Sequence, residues 1–169
     1  LDRFLQGSET HLQDFLGSHP VTQGGREGYS FRVWAPHAKK VCLMGDFNGW
    51  DVEALPLSPI GGGVWEVFVP GLERYATYKY VIHTADGRAL AKADPFAFYS
   101  ELRPGTASRV WDLSGYEWHD EPFLKKRART KIQKRPVSIY ELHLGSWRRH
   151  EDGSFFTYRE TADELAPYL

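Results

Sequence analysis

The sequence predicts a mainly β protein: an antiparallel β-sandwich over residues 26–114, followed by a segment of different character. Three observations carry this reading. Short apolar runs alternate with polar residues at a period of two. Gly, Pro, Asn and Asp punctuate those runs at near-regular intervals. Aromatic residues make up 15% of the chain, six of them Trp, a composition that suits strands. The span also matches the ~100 residues of an immunoglobulin-like sandwich.

Residues 1–25 read as a lead-in. Leu5, Leu12, Phe15 and Leu16 fit a short, ragged helical pattern, with Ser8 or Thr10 as N-caps and Pro20 as its end. Residues 23–28 read as a loop. From Tyr29 the period becomes two. Tyr29, Phe31 and Val33 share one face of a half-buried strand that Pro36 stops. Residues 40–44 form the next strand. Pro56, Pro59 and the triple glycine 61–63 mark a long connection. Trp65, Val67 and Val69 share a face of a strand over 64–69. Tyr78, Tyr80 and Ile82 share a face of another, with Thr77, Lys79 and Val81 opposite. Asp86-Gly87 is a hairpin turn, 88–92 the returning strand, Asp94-Pro95 its end, and 108–112 a last short strand.

Residues 115–135 read as a solvated linker. The basic run 125–129 is too short, in a chain with 21 basic and 22 acidic residues, to argue for nucleic acid. Residues 136–144 are apolar and strand-like. A helix follows towards Leu169, with Thr161 as cap, Glu164 three residues on and Pro167 in its first turn. Strand, loop and helix open a βα repeat with no second strand to pair with. Val137, Ile139, Leu142 and Leu144 are thus expected to leave apolar surface unpaired, and residues 136–169 to be disordered or to associate between chains.

Residues 45–51 (GDFNGWD) are the stretch around which the rest is organised. Gly45 and Gly49 admit unusual backbone angles, and Asp46, Asn48 and Asp51 are able to bond nearby backbone. Trp50 ends this turn among polar residues. It either caps the sandwich core or offers a ring for stacking on the apolar face of a sugar. Lys79 is either an ordinary solvated lysine or, if it shares a face with Trp50, part of the same site.

No metal-ligand spacing is present; Cys42 stands alone, and His143 and His150 are not at helical ligand spacing. No nucleotide, cofactor or nucleophile-elbow motif occurs. Asp94 reads as a turn residue and His143 as a structural histidine on a buried strand. The single cysteine and the absence of a signal-peptide h-region point to a reducing, cytoplasmic setting. A net charge of -1 gives no reason to expect nucleic acid or an anionic membrane as partner.

Residues 31–36 (FRVWAP), 45–51 (GDFNGWD), 78–80 (YKY) and 92–96 (KADPF) together resemble the carbohydrate-binding module of family 48. Residues 136–149 (PVSIYELHLGSWRR) and 154–169 resemble the opening of the (β/α)8 catalytic barrel in bacterial 1,4-α-glucan (glycogen) branching enzymes of glycoside hydrolase family 13. Residues 103–108 are similar to the end of that family's module, and 7–12 and 16–19 to the segment before it. The resemblance implies a parent that cuts α-1,4-glucan chains and transfers them to form α-1,6 branches, by a retaining mechanism using paired carboxylates. It implies no cofactor. Such a barrel takes ~250 residues and carries its catalytic groups on several strands, so they are expected beyond Leu169, the barrel over 136–169 is expected to be truncated, and this chain to be inactive alone. The implied partners are α-1,4-glucan and the catalytic barrel. Trp50 and Lys79 match one tryptophan and the lysine of the related stacking site; Ala89 stands where a second tryptophan falls, and Pro104 and Ser108 near a leucine and an asparagine. A debranching, isoamylase-type enzyme and a stand-alone glycogen-binding module share the fold; 136–169 argues against both.

Overall fold

The computed structural model describes all 169 residues, in two compact units, 1–116 and 117–169. The first is built from nine strands in two antiparallel sheets. One sheet has the order β1-β2-β5-β4, with β1 Gly17–Gln23, β2 Arg26–Trp34, β4 Ser58–Gly61 and β5 Val64–Pro70. The other has β3 Lys40–Gly45 beside β6 Thr77–His83. The far edge of β6 is shared: its first half pairs with β9 Ser108–Arg109, its second with β7 Ala89–Lys92, and β8 Tyr99–Ser100 completes the sheet.

The core forms where the alternation predicted. Tyr29, Phe31 and Val33 from β2 meet Val41 and Leu43 from β3, Tyr78 and Tyr80 from β6, and Val110. Phe31 and Tyr78 pack edge to face, 4.9 Å between centroids, a geometry that the ring quadrupoles favour. Trp65, Val67 and Val69 pack against this cluster from β5. The opposite side of β3 and β6 carries a smaller buried group, Cys42, Met44 and Val81.

Three expected features of this unit differ: the lead-in helix, the connection at Pro59, and the 23–28 loop, which shrinks to Gly24 and Gly25 between β1 and β2. The segment before Tyr29 is not a helix ended by Pro20. It gives one turn of α-helix, α1 Asp2–Leu5, a 3-10 turn at Leu12–Asp14, and then β1. Pro20 sits within β1, which pairs only with β2 and so is an edge, where a missing N–H costs no ladder bond. Pro59 likewise lies in the edge strand β4, in what reads as a connection. The lead-in is held by aromatic contacts: Phe4 lies 5.7 Å from Phe15 and 6.2 Å from Trp34, and the Arg32 guanidinium sits 5.3 Å from the Phe15 ring.

The second unit differs more. Within the solvated stretch 115–135, Glu121–Arg129 forms helix α2, with Pro122 in its first turn and no buried residue. The basic run belongs to this helix, and Lys125 pairs with Glu121 one turn back. Residues 136–144 do not form a strand. A strand needs a partner for its N–H and C=O groups, and none lies beside them, so this part of a barrel is not built. Val137, Ile139 and Leu144 are exposed as expected, Ile139 by 86%. His143 is exposed too, at the start of the four-residue helix α3 Leu144–Trp147, with its Nδ1 3.0 Å from the Ser146 hydroxyl. Helix α4 runs Tyr158–Tyr168. It falls in the stretch expected to be helical, from Thr157 towards Leu169, but its cap stands four residues before the expected Thr161. Thr157 caps it and Glu160 completes the capping box, while Thr161 is buried. Pro167 therefore falls in the last turn, not the first.

Candidate functional site

The 45–51 turn is fixed from three sides. Asn48 accepts from the Gly45 N–H at 2.9 Å and donates to the Leu43 carbonyl at 3.0 Å. Asp46 reaches across to β6, where one carboxylate oxygen accepts from both the N–H and the hydroxyl of Thr77 at 3.0 Å. Asp51 accepts from the Glu53 N–H at 2.9 Å. Gly45 is required by contact: a Cβ there would stand 2.3 Å from the Thr77 carbonyl oxygen and 2.4 Å from the Phe47 ring. The chain then leaves the turn through two consecutive residues of positive φ, Gly49 at 65° and Trp50 at 61°.

Trp50 is 39% exposed and is not part of the core cluster, so the core-capping alternative does not hold. Its N–H donates to the Gly45 carbonyl at 2.8 Å. Gly45 pairs with Tyr78, and the neighbouring Met44 with Lys79. Trp50 and Lys79 are thus rooted at adjoining rungs of the β3–β6 ladder. The Lys79 ammonium donates to the Thr106 hydroxyl at 2.6 Å, so its head is placed by the loop before β9. Ala89 is exposed at the start of β7 and contributes no ring. Ser108 is buried, and its hydroxyl accepts from the Asp94 N–H at 2.8 Å.

Asp94 is a turn residue, as its Oδ1 accepts from the Phe96 N–H at 2.8 Å, but it is also buried beneath the site. The Tyr78 hydroxyl donates to it at 2.7 Å and that of Tyr80 at 3.4 Å. Burial pushes the Asp94 carboxyl up, against the lowering effect of the Tyr78 bond, and burial pushes both phenols up. This network anchors the middle of β6, and with it Lys79.

Sequence spacing missed two further groupings. Tyr99 and Trp111 stack at 5.5 Å, Tyr75 meets both, and Arg74 and Arg109 lie over the rings. Arg74 also holds Asp112, whose carboxyl is lowered to about 2, first by the bonds from Ser114 and then by the guanidinium. The second brings one side-chain donor atom each from Cys42, Glu53 and His83 to within 4.8 Å of one another. No chain signal finds either grouping, because strands and loops far apart in the chain assemble them only on folding.

Residues 15–97 match the family Carbohydrate-binding module 48 (Isoamylase N-terminal domain). The module alone does not describe the whole chain, since the likeness to curated relatives runs further. The 1,4-alpha-glucan branching enzyme GlgB of Nitratidesulfovibrio vulgaris (strain DP4) is 53% identical over 169 residues, 98% of this chain and 26% of the relative. The enzyme of the same name from Bacillus caldolyticus is 51% identical over 98% of this chain and 25% of its own length; that from Butyrivibrio fibrisolvens is 45% identical over 99% and 27%. The chain thus spans about a quarter of the length of the curated relatives it matches. Among solved structures, apo pullulanase from Paenibacillus barengoltzii superposes with a TM-score of 0.47 at 22% identity, over 66% of this chain and 18% of that one. No helix is long and apolar enough to cross a membrane.

Proposed function

We propose that this chain is the N-terminal part of a 1,4-alpha-glucan branching enzyme, in which the sandwich binds or positions α-1,4-glucan for a catalytic barrel. One observation carries the reading. Identity of 45–53% to such enzymes extends over nearly the whole chain, far past residue 97, where the module match ends. A free-standing glycogen-binding module has no use for 136–169. In this reading 1–25 is the lead-in, 26–114 the module, 115–135 a connector and 136–169 the first piece of the barrel. That piece gains its strand only when neighbouring barrel strands are present to pair with it. The partners are glucan and barrel, with neither nucleic acid nor membrane, and the setting is the cytoplasm, where buried Cys42 stays reduced.

Trp50 is the stacking ring and Lys79 the hydrogen-bond donor to sugar hydroxyls. A sugar ring presents C–H groups to an aromatic face and hydroxyls at its rim, so one ring plus one ammonium is the minimum platform. With Ala89 in place of a second ring, the site is weak, with a Kd of ~1 mM or about 4 kcal/mol of binding. Branching itself needs two carboxylates across the scissile bond, and we assign none within this chain.

Titration with maltoheptaose, followed at the Trp50 indole N–H by NMR, tests the site. Saturable shifts at Trp50 and Lys79 that vanish in Trp50→Ala are expected. No shift at millimolar sugar would make the module a scaffold. Incubation of the chain with amylose should yield no α-1,6 linkages; their appearance would overturn the placement of the chemistry elsewhere.

A further inference from the structure

The outer side of β3 and β6, away from the core, carries a group of donors that neither the glucan reading nor the fold requires. Cys42 stands in the middle of β3, opposite Val81. His83 lies on β6 opposite Lys40, which places it diagonal to Cys42 on the same face. The segment after the 45–51 turn then runs along the free edge of β3: the Leu43 N–H donates to Leu55 at 2.8 Å and the Leu57 N–H to Val41 at 2.8 Å. Glu53 comes off that segment and lies 3.3 Å from His83 Nε2. Three separate pieces of chain therefore deliver a thiol, an imidazole and a carboxylate to one point.

A second observation marks this point as unfinished. His83 Nε2 is a buried atom with no hydrogen-bond partner; its approach to Glu53 is close but poorly directed. A buried polar atom left so is costly, and such atoms in folded proteins normally have a partner. The Glu53 carboxylate meanwhile bonds the Lys40 ammonium. A cation therefore already sits against this donor set. It is a flexible one, on a side chain that is 42% exposed and free to swing into solvent.

We propose that Cys42, Glu53 and His83 form a three-donor site for a divalent metal of the zinc class. Sulfur, imidazole nitrogen and carboxylate oxygen are the ligands zinc takes, at bonds of about 2.0–2.3 Å. Donors within 4.8 Å of one another come to those bonds by closing about 1 Å around the ion. Binding exchanges the Cys42 S–H proton for the metal, releasing it to solvent, and displaces Lys40 from Glu53. Thiolate and carboxylate together then balance the two positive charges. Glu53 is the exposed member, so the fourth position opens to solvent and takes a water. The site clips the 52–57 segment to the sheet at the foot of the turn that carries Trp50.

The test uses the metal alone on the 169-residue chain. Cd²⁺ added to the metal-free, reduced protein should give a thiolate-to-metal charge-transfer band that saturates at one equivalent, and Zn²⁺ should displace it and raise the melting temperature. His83→Gln should weaken Cd²⁺ binding by at least about 10-fold, as loss of a supporting ligand does. Cys42→Ala should remove the band. Because Cys42 is buried, its variant is first checked for the native near-UV spectrum, and His83→Gln, at a less buried position, decides the matter if that check fails. Lys40→Ala should tighten binding by removing the competing cation. No band at saturating Cd²⁺, a band unaffected by His83→Gln, or weaker binding in Lys40→Ala would each overturn the site and leave a Lys40–Glu53–His83 ion cluster beside a plain buried thiol.

Discussion

Residues 28–34 and 137–144 are comparably apolar, yet the first is a strand and the second is not. Tyr29, Phe31 and Val33 are buried because a second sheet faces them and because β1 and β5 flank their backbone. Val137 and Ile139 have neither a facing layer nor a flanking strand, and both are exposed. The difference teaches that an apolar pattern specifies which side of a strand goes inward but not that the strand forms. The ladder partners decide that.

Substitutions at four positions test this difference. The largest effect is expected at Phe31, fully buried against Tyr78. Phe31→Ala should cost about 3–5 kcal/mol in urea unfolding through the cavity it leaves. Ile139→Ala should shift the same transition by less than about 0.5 kcal/mol. Equal effects would mean that 137–144 is packed after all.

Next comes Asp94. Asp94→Ala leaves the Tyr78 hydroxyl without its acceptor and should cost about 1–3 kcal/mol. Asp94→Asn keeps an acceptor and should cost less. The pH dependence gives the sign. The native carboxyl is raised above its unfolded value, so its contribution favours folding below the ordinary range near ~4 and is lost as pH rises through the native pKa. Asp94→Asn should remove that decline from the stability-pH profile; an unchanged slope would locate its origin elsewhere.

A more local effect is expected in the second unit. Thr157→Ala removes the α4 cap and should cost about 1 kcal/mol locally. Amide exchange should rise in 158–161, while the unfolding transition of the sandwich stays where it was. A shift in that transition would show the two units to be energetically coupled.

The strands with β-branched and aromatic alternation, β2, β3, β5 and β6, are readable directly from the sequence. The edge strands β1 and β4 are not. GSHPVTQ and SPIG contain proline and small polar residues, so only the neighbouring strand reveals them. Helix α2 is equally hidden, since EPFLKKRAR buries no residue and reads as a charge run. The start of α4 is ambiguous because Thr157/Glu160 and Thr161/Glu164 satisfy the same capping spacing, and Pro167 pulls the choice to the later pair. At the site, Trp50 announces itself by standing among turn residues. The Cys42–Glu53–His83 grouping does not, because the β3–β6 register and the return of the 52–57 segment along β3 join its parts.

The backbone at Trp50 has one more consequence. A left-handed conformation costs a residue with a side chain about 1–2 kcal/mol relative to glycine, and Trp50 holds it directly after Gly49. Every folded copy carries that penalty whether or not a sugar is bound. Glycine at this position would fold more easily and carry no ring. The turn thus trades some of the sandwich's stability for a large ring held at a fixed angle, and alanine there would keep the penalty while losing the ring.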